Sequence, residues 1–397
     1  MLRDFSLQSL FMGLLVAFVG FASSFSVVLQ GLEGAGASHA QSASGLMALS
    51  IGMGVCGIVI SVVTRMPVSV AWSTPGAALM ATSGALPGGF NAAVGAFIIS
   101  AVLIILAGMV KPVGRAISAI PAPLANAMLA GVLLALCFAP VEAVKFSPLL
   151  ALPIVATWIV VGAFNRLMAV PAAFLAFVAV LIFGVDIEAG AWSGVFRNAF
   201  AAPVWVTPHF SAQSAISLAL PLFIVTMASQ NIPGVAILNI NNYRPSAGRM
   251  FSATGLATLF TAPFGGHGVN LAAITAAMCA GPDAHPDPKR RYWSAIIAGI
   301  GYIVLGLFSG LVVATVSLAP PVLIEAVAGL ALIGAFGGAV LGAFKEPDAR
   351  EAAAITFLVA ASGVGFLGIS GAFWGLLAGL LVHGIKSWAA GRSRKAA

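Results

Sequence analysis

The chain has 397 residues, of which 60% are hydrophobic and 7% charged, and its formal net charge is +7. A soluble domain carries about 25% charged residues, so this composition excludes a water-facing surface of this size. The basic residues stand singly or in short groups between apolar runs, which excludes a nucleic-acid-binding face and marks them as topology signals.

Lipid is therefore the expected solvent. A helix crossing a hydrocarbon layer of about 30 Å needs roughly 20 apolar residues. Apolar runs cut by polar or Pro/Gly punctuation predict spans near 8–30, 44–64, 67–84, 90–110, 117–139, 148–164, 168–185, 213–238, 247–261, 263–280, 292–316, 321–344, 350–367 and 370–388. The fold class is thus an all-α polytopic membrane protein of about 14 spans. The first run, Leu10 to Leu29, lacks a small-x-small cleavage site and is expected to stay as a span.

Basic residues test this layout. With the N-terminus inside, Arg3, Arg65, Lys111, Arg115, Arg166, Arg244, Arg249, Lys289, Arg290, Arg291, Lys345, Arg350, Lys386, Arg392, Arg394 and Lys395 fall on the inner side. Lys145 and Arg197 alone fall outside, which is the asymmetry expected of a multi-pass inner-membrane protein with both termini cytoplasmic. The connection 186–212, with Asp186, Glu188, Trp192 and Trp205, divides the chain into halves of about seven spans. An odd number makes the halves enter from opposite sides, an inverted repeat.

Glycines at small-xxx-small spacing (Gly306/Gly310, Gly334/Gly338/Gly342, Gly371/Gly375/Gly379) predict close helix packing. Cys56, Cys137 and Cys279 are odd in number and lack metal-ligand spacing, so they are expected as apolar packing residues. Zinc-protease, phosphate-loop and dinucleotide motifs are absent from the sequence, so neither a catalytic residue nor a cofactor nor a metal is expected.

Two predicted spans are not ordinary helices. The third is MPVSVAWSTPGAALMATSG (Met66 to Gly84) and the tenth APFGGHGVNLAAITAAMCAG (Ala262 to Gly281). Each has proline and extended-looking residues, then Gly, Ser, Thr or Pro, then a short Ala-rich helical run. Broken helices at matching places of two halves point to a transporter's site, because irregular backbone at membrane depth has to line a cavity or be buried in protein. Half-helices starting near Ser73 and near Gly268 would aim N–H groups and positive dipole ends at the midplane, an arrangement suited to a carboxylate.

His267 sits inside the tenth-span break between Gly266 and Gly268, with Asn270 one turn on. It is either a neutral histidine satisfied by backbone carbonyls or a residue that bonds the solute and takes up a coupled proton. The eighth span carries Thr226, Ser229, Gln230 and Asn231 before Pro233-Gly234, either for inter-helix bonding or to face a cavity. Ser23 and Ser24 in the first span allow the same two readings, while Phe25 and Trp72 are either packing or walls for an aromatic solute. Glu33, Glu142 and Glu325 fall at or near span ends.

TMASQNIPGVAIL (Thr226 to Leu238), the tenth-span motif and WSTPGAAL (Trp72 to Leu79) closely resemble the benzoate membrane transport family, BenE, whose members are described as benzoate:proton symporters. The resemblance covers essentially the whole chain and extends to nucleobase permeases and sulfate-type anion transporters. It implies seven plus seven spans in inverted repeat. A core domain would comprise 1–110 and 213–318 (spans 1–4 and 8–11), and a gate domain 111–212 and 319–397 (spans 5–7 and 12–14).

It further implies proton-coupled import of benzoate or a similar aromatic carboxylate by alternating access, with a nucleobase or inorganic-anion carrier as the alternative. The implied substrate-binding set is Ser23, Ser24, Phe25, Trp72, Ser73, Thr74, Gln230, Asn231, Gly266, His267, Gly268 and Asn270, with His267 the proton-coupling candidate. In nucleobase permeases, acidic residues on the eighth and tenth spans serve this purpose. Their places correspond here to Gln230 and approximately to His267, and fixed carboxylates there would repel an anionic solute. Expected partners are the small aromatic carboxylate, protons and the lipid bilayer, and a homodimer is compatible with the reading.

Overall fold

The computed structural model describes residues 4–84, 86–110, 120–187, 190–197, 199–272, 274–364, 366 and 371–396. Arg3, Lys111, Arg115 and Glu188 lie outside these, as do the side chains of Arg392, Arg394 and Lys395. The elements in chain order are α1 (Leu7–Ala22), α2 (Phe25–Gly34), α3 (His39–Thr64), β1 (Val70–Trp72), α4 (Thr74–Ser83) and α5 (Gly89–Met109). Next come α6 (Ala122–Cys137), α7 (Ala139–Phe146), α8 (Pro148–Phe164), α9 (Ala169–Gly184) and α10 (Ala191–Arg197). The second half has α11 (Ala212–Ile240), α12 (Ala247–Thr261), β2 (Val269–Leu271), α13 (Ile274–Ala280), α14 (Tyr292–Leu307), α15 (Ser309–Val316), α16 (Pro321–Phe344), α17 (Arg350–Ala361) and α18 (Gly371–Ala396).

Among the described residues, six helical stretches are long and apolar enough to cross a bilayer: Leu7–Gly34, His39–Thr64, Gly89–Met109, Ala122–Phe146, Ala212–Ile240 and Pro321–Phe344. The pair α14 and α15 joins them with a 53° bend, and α8 and α9 are shorter apolar helices. The outer surface is apolar as well: Leu149 is 84% exposed, and Phe164 and Phe183 are each 88% exposed. Such a surface is stable only against hydrocarbon, and helices satisfy its backbone internally.

Small residues set the packing. Gly54 of α3 and Gly299 of α14 approach so closely that a Cβ on Gly54 would lie 2.5 Å from the carbonyl oxygen of Gly299. Gly31 of α2 leaves room for the Ala77 carbonyl of α4, and Gly34 for Ala81, so these two helices run side by side in the same direction. Of the glycines singled out from spacing, Gly306 abuts Ser50, Gly342 abuts Asn126, and Gly375 and Gly379 abut Thr356. Gly334 and Gly338 instead face open space.

Three expectations change in detail. The first span is interrupted at Ser23–Ser24, where Ser24 leaves the helical region (φ −153°, ψ 3°) between α1 and α2. The eighth span is a continuous rod containing two wide-turn π segments, Ala215–Ala219 and Met227–Asn231. Pro221 and Pro233 supply the reason: proline lacks an N–H and its ring clashes with the carbonyl four residues earlier, here Ser217 and Ser229. Opening the turn around those carbonyls relieves the clash, and it places Ala228-Ser229-Gln230 in the widened turn. Finally, the chain is not purely helical, since both breaks contain strands.

Candidate functional site

The third and tenth predicted spans are both broken. α3 ends at Arg65, held in the left-handed conformation (φ 55°), and the chain then runs extended to the N-cap Ser73 of α4. After α12 a left-handed Gly265 (φ 93°) turns the chain into β2. The strands pair antiparallel, with Val70 opposite Leu271, Ala71 opposite Asn270 and Trp72 opposite Val269. Extended backbone in a membrane protein must find partners for every N–H and C=O, and hydroxyls on neighbouring helices supply the rest. Ser61 of α3 accepts from the Val68 amide (3.2 Å) and bonds its carbonyl (3.3 Å). Thr258 of α12 does the same for Val269, at 2.9 and 3.1 Å.

One expectation is corrected here. The second half-helix starts at Ile274, not near Gly268, so Gly266, His267 and Gly268 lie in the extended stretch before it. The extended residues are retained by strand pairing and by side chains: the Leu271 amide donates to Asn231 Oδ1 at 2.9 Å. α4 does begin where expected. Ser73 Oγ accepts from the Gly76 amide at 3.2 Å and Pro75 lies in the first turn, where its missing N–H costs nothing.

Ser73 is the junction of the site. Its hydroxyl bonds Thr226 Oγ1 of α11 at 2.7 Å. Its carbonyl oxygen lies 2.9 Å from His267 Nε2, and its amide donates to Gly268 O at 3.0 Å. With its amide oriented to satisfy both neighbours, Asn270 accepts from the Ser73 amide (2.8 Å) and donates to Leu271 O (2.9 Å). One residue earlier, Trp72 Nε1 donates to Ser24 Oγ, at the interruption of the first span, at 2.9 Å. The interruptions of the first, third and tenth predicted spans and the widened turn Met227–Asn231 of the eighth therefore meet in one place.

His267 is fully buried; its Nε2–H is the donor to the Ser73 carbonyl, so in the neutral ring Nδ1 is the unprotonated nitrogen, and it has no hydrogen-bond partner among the described residues. Its ring stands edge-on to Phe97 with centroids 6.2 Å apart. Beside the junction is an aromatic cluster. Phe21 stacks on Phe25 (5.7 Å between centroids) and meets Trp72 edge-on (5.4 Å); Phe25 meets Phe174 of α9 edge-on at 4.7 Å.

Of the residues singled out from the sequence, Ser24, Trp72, Ser73, His267, Gly268 and Asn270 are joined by hydrogen bonds, Asn231 is tied in through Leu271, and Phe25 joins the aromatic cluster. Gly266 tucks against Thr261, where a Cβ would lie 2.6 Å from that side chain. Ser23, Thr74 and Gln230 are only half-buried and stand at the margin of this network. A cavity of about 50 Å³ lies between α6 and α11, lined by Ala122, Ala125, Asn126, Leu129, Val225, Ala228 and Ser229. It is large enough for a water molecule but not for an aromatic ring, for which roughly 150 Å³ is needed.

Sequence reasoning missed Thr226 as a partner of Ser73, Phe21 and Phe174 as parts of the aromatic cluster, and Asn126 at the cavity. Thr226 had a signal, as a polar residue in the eighth-span motif. Phe174 and Asn126 had none, because their relevance comes only from where α9 and α6 pack. At the periphery, Glu33 pairs with His39 Nδ1 at 3.6 Å and Lys386 with Glu351, both outside the junction.

Comparison with known proteins bears on the fold and the family. Among solved structures, the chain matches the transmembrane domain of a cyanobacterial bicarbonate transporter, BicA, with a TM-score of 0.61 over 96% of this chain and 98% of that one. It also matches SLC26A9 with a TM-score of 0.56, over 97% of this chain and 66% of that one. At 14% identity in each case, these likenesses concern the fold alone. In sequence, the chain is 38% identical to the inner membrane protein YdcO of Escherichia coli K12, covering 99% of this chain and 100% of that protein. It is 34% identical to the benzoate membrane transport protein of Acinetobacter baylyi, covering 96% and 95%. The family model described as benzoate membrane transport protein matches residues 3–385. With the match running nearly end to end through both broken spans, the chain is a multi-pass membrane transporter, not an enzyme, and belongs to the benzoate membrane transport protein family.

Proposed function

We propose that this transporter imports benzoate or a close aromatic carboxylate together with protons, by alternating access. The observation that carries the proposal is the Ser73 junction. It combines hydroxyl and amide donors with an aromatic cluster, and its one titratable side chain is the buried His267. The carboxylate would be held by Ser73, Thr74 and the amides at the start of α4, where the helix dipole favours negative charge by roughly 0.3–1 kcal/mol. Ser23, Gln230 and the residues around Gly268 would complete the polar side. The ring would lie among Phe21, Phe25, Trp72 and Phe174.

The proposed architecture has 14 spans in a seven-plus-seven inverted repeat, both termini cytoplasmic. The core (1–110 and 213–318) moves against the gate (111–212 and 319–397). The antiparallel pairing of β1 with β2, and the matching hydroxyl clasps of Ser61 on Val68 and Thr258 on Val269, support a two-fold relation between halves. Phe25 against Phe174 is then a contact between core and gate that has to part to admit a ring.

Uphill import needs a co-transported positive charge, and a proton supplies it. A benzoate-like acid is almost wholly anionic at neutral pH, and moving it inward costs roughly 2.3 kcal/mol per 100 mV of inside-negative potential. One proton per anion cancels that cost, after which each pH unit of gradient contributes about 1.4 kcal/mol of accumulation. Uptake of labelled benzoate into proteoliposomes with and without an imposed pH gradient tests the proposal. Accumulation above the outside concentration only with an acid exterior is the expected result, and indifference to the gradient rejects symport. The fold likeness to a bicarbonate transporter favours an inorganic-anion carrier as the second reading. Competition by benzoate, uracil, bicarbonate and sulfate separates the two.

A further inference from the structure

A groove of about 470 Å³ runs between α8, α9 and α16 and shares no lining residue with the Ser73 junction. Its floor is the glycine face of α16, where a Cβ on Gly334, Gly337 or Gly338 would touch nothing within 4 Å. The spacing of Gly334 and Gly338 predicts packing, yet no part of the described chain fills the space. Trp158 and Ile159 of α8 line one end and Arg166, two residues beyond α8, the other. Arg166 is exposed, and among the described residues it makes no ion pair.

We propose that this groove is a binding site for an anionic phospholipid, with one acyl chain on the glycine face and the headgroup phosphate on Arg166. Two helices give a similar depth. From Trp158 to the end of α8 at Phe164 is six residues, about 9 Å, and from Gly338 back to Leu330 is eight residues, about 12 Å, at 1.5 Å per residue. That is within one leaflet of a hydrocarbon core about 30 Å thick. The cation sits at the headgroup end of both measurements, and in the proposed orientation this is the cytoplasmic leaflet, where anionic lipid attracts basic side chains. The groove thus has one apolar slot of single-leaflet depth and a positive charge at its mouth. This chemistry suits a lipid anion better than a second protein chain, whose packing against glycines would need no cation.

The inference rests on the membrane placement given above and not on the identity of the solute. Trp158 is a built-in reporter. Full-length protein is reconstituted in phosphatidylcholine bilayers containing phosphatidylglycerol or phosphatidylcholine with brominated acyl chains. The Trp158 signal is the difference between wild type and Trp158→Phe. Half-maximal quenching is expected at a roughly fivefold lower fraction of brominated phosphatidylglycerol than of brominated phosphatidylcholine, the equivalent of about 1 kcal/mol for one basic side chain. Arg166→Gln should abolish that preference while leaving benzoate uptake unchanged. Equal quenching by the two lipids, or a preference retained by Arg166→Gln, overturns the proposal. So does an unquenched Trp158, the outcome if a second copy of the chain fills the groove.

Discussion

His267 Nε2 donates to the carbonyl oxygen of Ser73 across 2.9 Å, joining the extended stretch of one half of the chain to the N-cap of the half-helix in the other. Because that bond occupies one ring nitrogen, a proton arriving from the solute side can bind only at Nδ1, which has no hydrogen-bond partner among the described residues. His267→Gln keeps a donor for the Ser73 carbonyl and lacks a titratable site. It should retain benzoate exchange across the membrane and lose gradient-driven accumulation. His267→Ala, which strands a buried carbonyl at a cost of about 1–3 kcal/mol, should lose both. Intact affinity and pH dependence in both variants rejects the role of His267.

The Ser73–Thr226 bond couples α4 to the eighth span at 2.7 Å. Ser73→Ala removes the helix cap as well, at about 1 kcal/mol, and should lower the thermal midpoint and raise KM. Thr226→Val removes only the bond between them. A double-mutant cycle on benzoate affinity should give a coupling of about 0.5–1.5 kcal/mol. Simple additivity would mean that the two hydroxyls act separately.

Phe174 meets Phe25 edge-on at 4.7 Å. Aromatic pairs contribute about 0.5–1.5 kcal/mol beyond area burial, so Phe174→Leu should weaken benzoate binding roughly two- to tenfold. The same substitution should leave an inhibiting non-aromatic carboxylate, such as cyclohexanecarboxylate, less affected. Equal losses for the two acids would remove the ring from this position.

Outside the spans, Asp4 accepts from the Tyr292 hydroxyl at 2.8 Å and pairs with Arg65 at 3.1 Å. The Tyr292 hydrogen bond, with help from Arg65 and Arg290, holds its carboxyl below the usual carboxylate range. A lowered folded value stabilises the protein above the unfolded value of about 3.9, and that contribution is lost as pH falls through the folded value. Asp4→Asn should therefore lower the thermal midpoint slightly at neutral pH, with a constant difference between pH 5 and 8. The difference should close below about pH 4, followed by thermal scans across that range.

Much of the architecture was legible locally. The excess of apolar residues specified lipid as solvent, and Pro, Gly, Ser and Thr at 66–76 and 262–268 marked both broken spans, since these residues interrupt a helix wherever they occur. The cap at Ser73 was legible for the same reason. The start of α13 was misplaced by six residues because Gly268 looks like a helix start in sequence, whereas strand pairing with β1 keeps the following residues extended.

By itself, then, the sequence determined the solvent, the family and which two predicted spans, the third and the tenth, are broken, all of which follow from composition and short-range chain chemistry. Only the tertiary structure decided that Ser73 meets Thr226 and His267, that Trp72 meets Ser24, and that Phe174 lies against Phe25. In a bilayer both the lipid-facing and the buried sides of a helix are apolar, so hydropathy does not say which face turns inward. The partners are settled only when helices distant in the chain pack at their small residues and satisfy the backbone that the breaks leave open.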